Sequence, residues 1–141
     1  MKSLFIVCAL AVVACGPSSA DCPSGWSDDA KAPGACSPPQ TFLTDTQTSI
    51  GSGVYGFMRT NTHDGKNELV VGALVFAIPS TQTTCDAASV NAVAQATTDD
   101  NGIYILKLAP GDYLITSGEV AACTAVHVDA NQITDVALTT P

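Results

Sequence analysis

From Val54 to the end, the chain is a succession of short apolar runs separated by turn-forming residues, and this pattern limits the fold more than any other feature. Residues 51–141 contain 12 Thr, 10 Val and 5 Ile, so 27 of 91 side chains are β-branched. Such residues lose rotamer freedom in a helix and pack well on a pleated surface. The same stretch has two Lys, two Glu, one Arg and six Leu, with no long segment of 3.6-residue periodicity. Strands are expected at Val54 to Thr60, Leu69 to Ile78, Ala92 to Thr98, Ile103 to Leu108, Asp112 to Ser117, Cys123 to Val128 and Ile133 to Thr139. The expected fold is all-β: one seven-stranded antiparallel sandwich.

The turns fit this reading. His63-Asp64-Gly65-Lys66, Asp100-Asn101-Gly102 and Ala130-Asn131-Gln132 offer residues that tolerate positive φ, and Pro110-Gly111 suits a type II turn. Alternation is clearest in Ile103-Tyr104-Ile105-Leu106-Lys107-Leu108. Lys107 must face solvent or an edge there, which puts Tyr104, Leu106 and Leu108 on the core face. His127, between Val126 and Val128, reads as a solvent-facing strand residue.

Ahead of the β-rich part stand two segments of different character. Met-Lys-Ser, the apolar run Leu4 to Ala14 and Cys15 form a charged n-region and an h-region too short to span a bilayer. Val12-Val13-Ala14-Cys15 resembles the lipobox of bacterial lipoproteins. That resemblance implies a signal peptide at 1–14, a Cys15 bearing diacylglyceryl at the new N-terminus, and membrane attachment through acyl chains alone. Cleavage at an ordinary signal site near Ala20, with Cys15 discarded, is the competing reading. Gly16 is not the aspartate that enterobacterial sorting uses for inner-membrane retention, so the expected location is the outer membrane of a Gram-negative envelope. Residues 15–53, rich in Ser, Pro, Gly, Asp, Thr and Gln, are read as a mostly extended, disordered stalk with one closed loop, and residues 54–141 as the sandwich.

With Cys8 removed and Cys15 lipidated, Cys22, Cys36, Cys85 and Cys123 remain. In an oxidising compartment four cysteines imply two disulfides and three connectivities. The sequence-local choice joins Cys22 with Cys36 and Cys85 with Cys123. A zinc site is the rival, but there is no Cys-x-x-Cys pair and neither His63 nor His127 has another ligand at helical spacing. Trp26 lies inside the first loop, where it either covers the bridge or contacts a partner.

Thr98-Asp99-Asp100-Asn101-Gly102-Ile103-Tyr104 and Leu108-Ala109-Pro110-Gly111-Asp112-Tyr113-Leu114 resemble the paired signature of carboxypeptidase regulatory-like domains, relatives of transthyretin-like and Cna-B-type sandwiches. Val70-Val71-Gly72-Ala73-Leu74-Val75 is similar to that family's second strand, and Val128 to Val136 to its closing hairpin. Asp99, Gly102, Pro110, Gly111 and Tyr113 are accordingly expected to be turn and corner devices, Tyr113 burying its ring while its hydroxyl bonds backbone. Asp99-Asp100-Asn101 does not match an EF-hand calcium loop. Two departures stand out: a long insert from Pro79 to Asn91 carrying Cys85, and Arg59 in a first strand without the lysine that isopeptide-forming Cna-B relatives use.

Four basic residues (Lys31, Arg59, Lys66, Lys107) against 13 acidic ones after signal removal leave no footprint for nucleic acid. No nucleophile with a base, paired-carboxylate motif, Gly-x-Ser-x-Gly, His-Glu-x-x-His or phosphate-cradling loop is present, so no enzyme, catalytic residue, metal or cofactor is expected. The expectation is a non-catalytic, lipid-anchored envelope module, structural or protein-interacting. The alternative is a sandwich binding carbohydrate or another small ligand. The partners to consider are the membrane, through the lipid, and an envelope protein or a polysaccharide.

Overall fold

The computed structural model describes residues 22–29, 35–60, 68–82, 85, 91–118 and 123–140. The first element is a small antiparallel hairpin, β1 (Ser27–Asp28) with β2 (Cys36–Ser37), followed by helix α1 (Gln40–Ile50). Then come β3 (Gly53–Thr60), β4 (Leu74–Pro79), β5 (Ala94–Thr97), β6 (Ile103–Lys107), β7 (Gly111–Ser117), β8 (Thr124–Val128), β9 (Ile133–Asp135) and β10 (Leu138–Thr140). One sheet has β3 at its centre, with β6 on one side and β9 and β10 on the other; the second runs β5-β4-β7-β8. Between them lies a core of Val54, Met58, Val75, Ala77, Tyr104, Leu106, Leu108, Ile115, Val128, Val136 and Leu138, all buried. Lys107 is exposed between buried Leu106 and Leu108, as the alternation requires.

Three features differ from the sequence expectation. First, the sandwich is not wholly antiparallel: β9 and β10 both run parallel to β3. They keep one register, Gly53 opposite Ile133 and Met58 opposite Leu138, so they are two halves of a single strand interrupted at Val136-Ala137. The interruption belongs to a close approach. Val136 donates its N–H to Tyr55 O, Tyr104 donates its hydroxyl to Val136 O, and a Cβ on Gly56 would stand 2.0 Å from that carbonyl oxygen. Second, the run Leu69 to Ile78 changes sheets. Leu69 bridges Arg59 in the first sheet, Gly72 takes φ 75°, and β4 begins in the second sheet at Leu74. A φ in this region suits glycine, which carries no Cβ to clash.

The third difference concerns residues 22–53, where an extended stalk is corrected over 22–29 and 35–53. β3 reads Gly-Val-Tyr-Gly-Phe-Met with all six residues buried. Val54, Gly56 and Met58 face the sandwich interior, and Tyr55 and Phe57 point the opposite way, into a second core with Trp26 and Cys36. Strand geometry puts alternate side chains on opposite faces, so a strand buried throughout must be covered twice. The hairpin and α1 supply the second cover. Trp26 packs edge-on to Phe57 at 5.7 Å and Tyr55 at 6.1 Å between ring centroids, and Phe42 of α1 lies 5.3 Å from Trp26. Such pairs contribute about 0.5–1.5 kcal/mol each beyond the area they bury. α1 has no side-chain cap at its N-terminus and ends at Gly51 (φ 74°), whose N–H bonds Gln47 O. Packing on the sheet, rather than propensity, holds it.

Both sequence-local disulfides are present: Cys22–Cys36 with Cα atoms 5.7 Å apart, and Cys85–Cys123 at 5.9 Å.

Candidate functional site

The covered face of β3 leaves a groove of about 390 Å³ between α1 and the β3–β9 edge, lined by Gln40, Leu43, Thr44, Gln47, Thr48, Tyr55 and Ile133. None of these side chains is charged at neutral pH. Gln47 donates its amide to Gly51 O, and Thr44 and Thr48 donate their hydroxyls to Gln40 O and Thr44 O, four residues back. These three side chains thus donate to backbone carbonyls of their own segment.

Tyr55 sits opposite Asp135 in the parallel register. Burial pushes the Tyr55 hydroxyl up to about 12, helped by the Asp135 charge, and burial pushes the Asp135 carboxyl up to about 6. Tyr104, deeper in the sandwich, is driven upward for the same two reasons. At neutral pH the groove therefore presents Tyr55 as a neutral phenol, and Asp135 is not among the residues that line it. Among the described residues, no nucleophilic side chain hydrogen-bonds to Asp135. Sequence reading missed both residues; the continuous apolar run of β3, asking for a second cover, was the available signal.

A second groove, of about 470 Å³, opens on the other sheet beside Leu74, Phe76, Ser117 and Gly118. Leu74 and nearby Val71 are exposed there, at 47% and 55%. A third cluster lies on the solvent side of β7 and β8. His127 Nδ1 is 2.6 Å from Asp112 Oδ1, and its Nε2 is 3.5 Å from Asp129 Oδ1. The hydrogen bond to Asp112 and the neighbouring charges raise the imidazole pKa. His127 is exposed, as its strand position implies, and no hydroxyl or thiol among the described residues bonds its ring.

The other residues singled out from sequence are dispersed through the fold. Asp99 Oδ1 accepts the N–H groups of Asn101 at 2.8 Å and Ile103 at 2.9 Å, and Gly102 closes that turn at φ 71°. Tyr113 donates its hydroxyl to Ala109 O at 2.9 Å across the Pro110-Gly111 reversal. Asn131 takes φ 57° in the last turn. Trp26 is buried in the cluster that includes Cys22 and Cys36, so it covers the bridge and the sheet together. Cys22, Asp28 and Cys36 lie within ligand distance of one another, but the bridge consumes both thiolates, which can hold no metal while it stands. Cys15, the signal segment 1–14, His63 and its expected turn lie outside the described residues.

No protein-family model matches the chain, and no curated protein matches it. Among solved structures it is similar to GBS52, a minor pilin of Streptococcus agalactiae, at 16% identity and a TM-score of 0.47 over 64% of this chain and 44% of that one. It is likewise similar to the Bacillus cereus major pilin BcpA, carrying a D312A substitution, at 14% identity and a TM-score of 0.47 over 64% of this chain and 30% of that one. A Pseudomonas aeruginosa protein described as a candidate carbohydrate-binding protein matches at 17% identity and a TM-score of 0.48, over 72% of this chain and 98% of that one. The chain thus spans less than half of either pilin. The functional reading rests on its own residues.

Proposed function

We propose that this chain is an exported, lipid-anchored and non-catalytic envelope module, its sandwich serving a structural or protein-interaction role. The observation that carries this reading is the use made of the polar residues. Asp99 holds a turn, Tyr104 and Tyr113 bond backbone carbonyls, and His127 is engaged by two exposed carboxylates. These are folding devices, not a nucleophile aligned with a base. The apolar run ending at Val12-Val13-Ala14-Cys15 supports export with lipidation at Cys15 in the outer membrane, and the resemblance to carboxypeptidase regulatory-like domains supports an accessory role. Radiolabelled palmitate fed to cells should be incorporated into the protein and lost in Cys15→Ser. Incorporation that survives the substitution contradicts the anchor. In-cell crosslinking of the lipidated protein should capture a distinct envelope protein; reproducible failure to capture one counts against the interaction role.

The α1 groove favours a second reading, as a site for a neutral polyhydroxylated ligand such as an envelope glycan. Its lining is uncharged, in a chain of net charge −8. Retention on cell-wall or capsule polysaccharide that is lost in Gln40→Ala would support it, and absence of retention on any of them would remove it.

A further inference from the structure

The structure of residues 22–29 and 35–53 changes how the domain can stand on a membrane. This inference rests on the lipid-anchor reading. Cys22 is fixed to the β3 face of the sandwich by its disulfide to Cys36 and by packing in the Trp26–Tyr55–Phe57 cluster. From a lipid on Cys15 to that fixed point there are seven residue steps. Fully extended they span about 25 Å, and as a flexible chain their root-mean-square reach is about 15 Å. A free stalk running to Gly53 would have reached more than twice as far.

The sandwich itself is comparably thick. Sheets pack about 10 Å apart and a helix is about 10 Å across, so from the hairpin layer through both sheets to the far surface is about 25–30 Å. Resting the β5-β4-β7-β8 sheet on the bilayer would demand the tether's whole contour and forfeit its conformational entropy. Resting the hairpin and α1 on it demands almost none. The exposed side of α1 also suits a head-group layer. Gln40, Thr41, Thr44, Thr48 and Ser49 are uncharged, and Asp45 is the helix's one ionisable residue. The geometry points to the α1 and Cys22–Cys36 face as the surface that lies against the lipid, with the β5-β4-β7-β8 sheet and its exposed Leu74 turned outward.

The test uses the whole exported protein, purified with its own N-terminus and placed in phosphatidylcholine vesicles containing a lipid with a nitroxide on its head group. A fluorescent amino acid replaces Thr41, on the exposed side of α1, or Gln95, on the outer face of β5, both exposed. Quenching of the Thr41 probe should exceed that of the Gln95 probe severalfold. A flexible 20-residue Gly-Ser insert after Ser18 should bring the two close to equal, because it raises the reach to about 28 Å. Intact mass is read on the same sample. An acylated protein whose probes are quenched equally without the insert, or more strongly at Gln95, overturns the orientation and leaves the anchor standing. A protein without acyl mass overturns the anchor and the orientation with it.

Discussion

The two outer faces of the sandwich are solved differently from one another. On the first sheet, β3 is covered by the hairpin and α1, elements that precede it in the chain and bring their own aromatic residues, Trp26 and Phe42. On the second sheet, Phe76, Ile78 and Thr116 point away from the interior by register, yet are 6%, 1% and 2% exposed. Cys123 continues the outward phase of Ala125 and His127, and Cys85, from the β4–β5 connection, is joined to it there. Cover is incomplete at the other end of β4, where Leu74 remains 47% exposed. The first face is thus sealed by side chains that a short bridge helps to hold. On the second, a disulfide ties Cys85 of the β4–β5 connection to Cys123, just ahead of β8.

That contrast makes a set of predictions. Trp26→Ala should have the largest effect, about 4 to 5 kcal/mol, because it empties the centre of the aromatic cluster. Denaturant unfolding would measure it, and hydrogen exchange should rise in α1 while β4 and β7 stay protected in the folded state. Replacing both cysteines of a bridge by alanine comes next: about 4 kcal/mol for Cys85–Cys123 and about 3 for Cys22–Cys36, following loop lengths of 38 and 14. A larger loss from the shorter loop would break the contrast, since its cover is the one with packing to spare.

Asp135→Asn should be stabilising. Its carboxyl titrates at about 6 in the folded protein against about 3.9 unfolded, so wild-type stability falls as pH rises between those values. The variant should gain about 1 kcal/mol at pH 7, after allowance for solvent screening at this partly exposed carboxyl, and nothing below pH 4. His127→Gln should have the smallest effect, destabilising where Asp135→Asn is stabilising, and confined to low pH rather than to neutral pH. A raised imidazole pKa contributes stability that is fully present below about 6.5 and is lost as pH rises through the folded value. The variant's Tm should therefore fall slightly below wild type at pH 5 and match it at pH 8.

Much of the sandwich was legible because its strands obey local rules. Ile103 to Leu108 alternates, Asp99 and Gly102 announce their turn, and Tyr113 sits after a Pro-Gly reversal. α1 was not. Gln-Thr-Phe-Leu-Thr-Asp-Thr-Gln-Thr-Ser-Ile carries four threonines, uncapped, with three large apolar residues; such a segment has little helix propensity of its own and folds because Phe42 and Leu43 dock on Tyr55 and its neighbours. The parallel course of β9 and β10 was also hidden, because alternation tells which face a residue takes and not which strand it joins. The candidate groove shared that fate, since it exists only once α1 is in place. A clue was nonetheless present in Val54 to Met58 and Leu74 to Ile78, near-continuous apolar runs of the kind that strands buried on both faces require.

The hairpin and α1, ahead of β3 in the chain, belong to the folded domain. The chain has a single tryptophan, Trp26, placed in the segment at issue, so its fluorescence reads the answer without any label. Its emission should be blue-shifted and shielded from acrylamide, shifting to the red in one denaturation transition that coincides with loss of the β-sheet signal. Emission of a water-exposed tryptophan in the folded protein, or a separate earlier transition, would contradict it.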